Sequence, residues 1–171
     1  TGGWNTGTGV LTLSGIATLA DYQTALRSVT YFNSSDNPNT LARTASFVVN
    51  DGALPSSAAT KTINVTAVND APVVTTSAGA LGYTENAAAT TIDPSLTVAD
   101  VDSINLTGAT VSISANYANG QDVLAFTNQS GITGSWNAAT GTLTLSGSAS
   151  VAQYQAALRS IRLRISEGKL A

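Results

Sequence analysis

Apolar and polar residues alternate with period two through most of this chain. In strands, that spacing puts every second side chain on one face. Such runs, bounded by Gly, Asn, Asp and Pro, predict strands near 9–14, 28–33, 43–50, 60–68, 72–77, 105–115, 122–127, 141–146 and 159–165. Two stretches break the alternation with helical spacing, at 19–26 and 151–158. Thr18 and Ser150 stand where an N-cap is needed, since a hydroxyl there accepts from an orphan backbone N–H. Tyr22 and Leu26, like Tyr154 and Leu158, are four residues apart and share a helical face. That face is expected to pack on the sheets. Many short strands with turns between them predict an all-β protein built as a β-sandwich.

The pattern occurs twice. Residues 1–29 read TGGWNTGTGVLTLSGIATLADYQTALRSV and residues 133–161 read TGSWNAATGTLTLSGSASVAQYQAALRSI, identical at 19 of 29 positions at an offset of 132. A fixed offset marks tandem units. The linker signal Asn69-Asp70-Ala71-Pro72, after the alternating run TINVTAV, places a unit boundary near residue 70. Residues 1–70 are then the C-terminal part of one repeat and 71–165 the N-terminal part of the next, as expected of an excised fragment. Residues 166–171, ending Lys169-Leu170-Ala171, resemble a vector-derived tail. Because 1–29 and 133–161 occupy equivalent places in a unit, the halves are expected to complete one another, within one chain or by strand complementation between chains.

Composition narrows the chemistry. Charged residues are 10% of the chain, while Thr and Ser together number 44 of 171. Cys, Met and His are absent. Disulfides, zinc sites of the Cys/His kind and His-dependent nucleophilic triads are therefore excluded. The net charge of −3 argues against a nucleic-acid partner. No apolar run is long enough for a membrane-spanning helix.

The acids around the predicted boundary are the candidate site. They are Asn69 and Asp70 in the linker, Glu85 in GYTEN, and Asp100 and Asp102 in VADVD. Carboxylate and amide oxygens are hard donors suited to calcium, which takes six to eight oxygens in flexible geometry. Asn, Asp and Gly are also the ordinary residues of turns, and a turn is the reading for Asp36-Asn37 and for Asn50-Asp51.

VNDAP, then YTEN, then DVD resemble the calcium-site pattern of cadherins. The longer unit, TGSWNAATGTLTLSGSASVAQYQAALRSI with SFVVNDG and TKTINVTAVNDAP, resembles the cadherin-like tandem repeats of large secreted bacterial adhesins and the related chondroitin-sulfate-proteoglycan-type repeat. The resemblance implies immunoglobulin-like (cadherin-like) β-sandwich units, each with one short helix, on a bacterial cell surface or secreted. It implies calcium held between successive repeats by Asn69, Asp70, Glu85, Asp100 and Asp102. It implies adhesion as the role, with neighbouring repeats as partners.

The expected function is thus a structural and adhesive repeat module, stiffened by calcium at the repeat junction and without enzymatic turnover. The alternative is a carbohydrate- or protein-binding module meeting a host surface. The equivalent residues Trp4 and Trp136 separate the two: exposed rings suit sugar stacking, buried rings suit packing. A hydrolase would need two carboxylates flanking a cleft.

Overall fold

A computed structural model describes residues 1–165; the predicted tail 166–171 lies outside the described residues. Strands predominate and two short helices interrupt them, so the chain is all-β as expected. Contacts divide the chain into two compact units, the first Thr1–Ser35 and the second starting at Asp36. The repeat boundary near 70 follows sequence register; the compact units follow packing, and the two divisions differ.

The first unit holds β1 (Gly2–Asn5), β2 (Val10–Leu13) and α1 (Leu19–Arg27). β1 and β2 form an antiparallel hairpin with Gly2 opposite Leu13 and Asn5 opposite Val10. Asn5 Oδ1 accepts from the N–H groups of Gly7 and Thr8 and closes the turn. α1 begins in a reciprocal capping box: the Thr18 hydroxyl accepts from Asp21 N–H, and the Asp21 carboxylate accepts from Thr18 N–H. No side chain of α1 is buried.

The second unit contains β3 (Arg43–Phe47), β4 (Ala59–Ile63), β5 (Val73–Thr75), β6 (Thr90–Thr91), β7 (Thr97–Ala99), β8 (Asn105–Ser112), β9 (Asp122–Ala125), β10 (Thr133–Asn137), β11 (Thr142–Ser150), α2 (Val151–Arg159) and β12 (Arg162–Ile165). β3 pairs with β4 and β5 with β7; two three-stranded sheets have the orders β10-β11-β8 and β6-β12-β9. The core gathers side chains from both three-stranded sheets and the helix: Leu143 and Leu145 of β11, Leu124 of β9, and Tyr154, Ala157 and Leu158 of α2, with Ile132 and Ile161. Tyr154 is fully buried, and its hydroxyl donates to the Gly147 carbonyl at 2.6 Å. Gly147 sits at φ +133°, and a Cβ there would meet the Gly131 carbonyl oxygen at 2.2 Å, so only glycine fits.

The predicted helices and their N-caps are present. The packing expected for both helices is found only for α2; Tyr22 and Leu26 stay half-exposed. The predicted strand at 28–33 does not form, whereas its counterpart 160–165 contains β12. β12 is held by β6 and β9, from residues 90–91 and 122–125, and nothing in the first unit supplies counterparts of those strands. β1, β6, β7 and β10 were not predicted. β1 and β10 are short and rich in Gly and Asn, and pairing rather than propensity makes them strands.

Candidate functional site

The linker and the Asp100–Asp102 segment meet because β5 pairs antiparallel with β7. Val73 lies opposite Ala99, so the residues before β5 run beside those after β7. Asp100 turns the loop: its Oδ1 accepts from the N–H groups of Asp102 and Ser103 at 3.2 and 2.9 Å. Hydrogen bonds to the charged carboxylate, the Ser103 N–H first among them, hold the Asp100 pKa below the usual carboxylate range.

Asp102 reaches across to the linker. Its Oδ2 accepts from Asp70 N–H at 3.0 Å. The Ser103 hydroxyl meets Asn69 Oδ1 at 3.3 Å. The Asn37 side-chain amide donates to the Val101 carbonyl at 3.2 Å, adding a contact from the segment before β3. The structure therefore brings Asn69, Asp70, Asp100 and Asp102 together. These contacts make the loop a clamp on the linker backbone.

Glu85 is elsewhere. It lies exposed in a turn beside the end of β12, where the neighbouring Asn86 N–H donates to the Ile165 carbonyl. Among the described residues, no three Asp or Glu side chains come close enough to form a group that could hold a metal ion. The four residues at the linker fit a calcium ion in part: they offer hard oxygens, but the side chains of Asp70, Asp100 and Asp102 do not converge as a three-carboxylate group.

Two buried acids were not singled out in the sequence. Asp93 accepts from Ser77 N–H at 2.7 Å, from the Ser77 hydroxyl at 2.9 Å and from Ser95 N–H at 3.0 Å. The Ser77 N–H contributes most to holding its pKa below the ordinary value. Asp122 accepts from Ala118 N–H at 2.8 Å. Both close loops against the core. The available signal was Asp93-Pro94-Ser95, an acid at a turn inside an apolar segment.

Asn50 and Asp51 form side-chain-to-backbone turns, with Asp51 Oδ1 accepting from Ala53 and Leu54 N–H. Trp136 is half-buried and meets Tyr117 edge to face, with ring centroids 6.1 Å apart. Trp4 is 61% exposed. A cleft beside β9 and β12, lined by Thr91, Phe126, Gln129, Ser160 and Arg162 among others, has no carboxylate in its lining.

Over 107 residues the chain is 36% identical to halomucin of Haloquadratum walsbyi, a match that covers 60% of this chain and 1% of that protein. The chain thus spans about one hundredth of the length of the curated relative it matches. No protein-family model matches the chain, and no solved structure matches it. Among the described residues, no helix is long and apolar enough to cross a membrane.

Proposed function

We propose that this chain is a structural and adhesive repeat module of a long extracellular polypeptide, with no catalytic turnover. The observation that carries the reading is the 29-residue segment repeated at an offset of 132, in a chain similar to a small part of a far longer protein. Arrays of this kind work by contact between neighbouring modules. The immunoglobulin-like sandwich, with two sheets facing across one core, is the finer form of the fold reading; the shared core of β9, β11 and α2 supports it.

The linker clamp is where mechanics would enter. Asp102 holds Asp70 N–H, and Asp100 keeps the loop in the shape that allows it. A tensile load on the linker would have to break these bonds before β5 leaves β7. Calcium held by Asn69, Asp70, Asp100 and Asp102, with water completing its shell, would draw these side chains together, neutralise their charge and strengthen the same junction. A bacterial origin belongs to the resemblance alone.

Thermal unfolding after chelation, with and without millimolar Ca²⁺, tests the ionic form. A ligand at about one hundred times its Kd adds roughly 2.7 kcal/mol. The expected result is a rise in Tm that Asp100→Ala or Asp102→Ala abolishes. No rise leaves the junction clamped by hydrogen bonds alone. Protease treatment of intact source cells tests the location: an extracellular module is cut without lysis, and an intracellular one is not.

A further inference from the structure

We infer that the exposed face of the first unit is a docking surface for a β-sheet segment of the same kind as residues 71–132, presented by the polypeptide as a neighbouring half-module. The argument is internal to the chain, because the same surface occurs twice and is covered once. In the second copy, β11 pairs with β8, with Leu143 opposite Val111 and Leu145 opposite Ala109. In the first copy, among the described residues, the equivalent strand β2 is hydrogen-bonded to β1 alone. Its second edge is an unpaired ladder of backbone groups, and such an edge is a template for another strand.

The polar anchors are repeated as well as the apolar ones. Gln155 Oε1 accepts from Val98 N–H at 3.0 Å, and Arg159 Nε donates to the Leu96 carbonyl at 2.6 Å. Val151 N–H donates to the Ile104 carbonyl at 3.1 Å. Gln23 and Arg27 are the same residues at the same places on α1, and both are exposed. On α2 these two side chains hold two backbone groups of the covering segment, and on α1 the same pair stands exposed. The surface therefore matches its occupant in strand edge, apolar stripe and hydrogen-bonding groups together. This inference needs the repeat and not the compartment or the calcium, so it can fail while the extracellular reading stands, and the reverse.

The test adds the occupant in the connectivity the second copy shows. Ile132 directly precedes Thr133, so a second copy of residues 71–132 is placed directly before Thr1 of the full chain. Amide hydrogen exchange is followed in 9–29 and in 141–161, which differ in sequence and are read separately. Protection of 9–29 is expected to rise to within about tenfold of that of 141–161. Replacing the added copy's Leu106 and Val111 by Asp should return 9–29 to fast exchange while 141–161 stays protected.

A second readout is covalent. The chain has no cysteine, so Leu11→Cys combined with Val111→Cys in the added copy should form one disulfide under mild oxidation. Three results would overturn the inference. The first is unchanged exchange in 9–29 with 141–161 intact and no disulfide. The second is protection of 9–29 in the unextended chain equal to that of 141–161. The third is protection of the unextended chain that grows with its concentration, which would make a second copy of this chain the occupant.

Discussion

The two copies of the repeated segment fold alike locally and differ in what covers them. Both make the same hairpin register, with Gly2 opposite Leu13 and Gly134 opposite Leu145. Both cap their helix with a reciprocal box. Both bond the helix tyrosine to the glycine seven residues earlier, Tyr22 to Gly15 and Tyr154 to Gly147, at 2.6 Å. Yet Leu143 is 2% exposed and its counterpart Leu11 is 40% exposed. Ile161 is buried and Val29 is not. Local sequence thus decides the hairpin, turn, cap and helix. Burial depends on β7, β8 and β9, which come from other parts of the chain.

The largest way to break the equivalence is to cut an apolar side chain from each copy. Leu143→Ala leaves a cavity in the core and should destabilise the second unit by about 2–5 kcal/mol. Leu11→Ala removes an exposed side chain and should shift stability by no more than about 0.5 kcal/mol. Denaturant unfolding of the two variants measures the difference. Equal losses would mean that the first copy is covered in solution.

Tyrosine hydroxyls give a smaller contrast. Tyr154→Phe leaves the Gly147 carbonyl without its donor beside a fully buried ring, at a cost of about 1–3 kcal/mol. Around Tyr22, water can replace the lost partner of Gly15, so Tyr22→Phe should be nearly neutral. The same unfolding experiment reads both. Burial also raises the pKa of the Tyr154 hydroxyl above the ordinary tyrosine value, and an absorbance titration of the chain against its Tyr154→Phe variant reads that rise.

How far the sequence foretold this contrast follows from the same physics. The helices, their N-caps Thr18 and Ser150, and most alternating strands were legible because they rest on local periodicity and local hydrogen bonds. The strand predicted at 28–33 failed because its pattern equals that of β12 while its partners are missing. Apolar alternation says that a face wants cover, and it cannot say whether cover is there. In the candidate site, Asn69, Asp70, Asp100 and Asp102 could be grouped in advance through the linker pattern. Glu85 belongs to a turn bonded to the end of β12, outside the β5–β7 pairing that gathers the others. Asp93 escaped notice because its partner Ser77 is distant in sequence and only the fold joins them.

Helix caps should separate the copies less. Ser150→Ala removes the acceptor for Gln153 N–H on a helix that carries core residues, and should cost the second unit about 1 kcal/mol. Thr18→Ala should loosen α1 without moving the main unfolding transition. Circular dichroism read alongside core fluorescence distinguishes local fraying from global loss.

The smallest effect concerns the one capping position at which the copies differ chemically. α1 has Asp21 where α2 has Gln153, and only the carboxylate titrates. The Thr18 hydroxyl and then the Thr18 N–H hold the Asp21 pKa below its ordinary value. A carboxyl with a lowered folded-state pKa adds stability that is fully present above the unfolded pKa. That stability is lost as pH falls through the folded-state pKa. Acidification should therefore loosen α1 while the cap of α2 stays unchanged. Chemical shifts of the Tyr22–Leu26 and Tyr154–Leu158 amides, followed from neutral pH downward, read the two helices in one sample. Asp21→Gln should make α1 as indifferent to acid as α2. If the acid response of α1 survived that substitution, its cause would lie outside the capping box. The copies would then differ by more than cover and one titrating side chain.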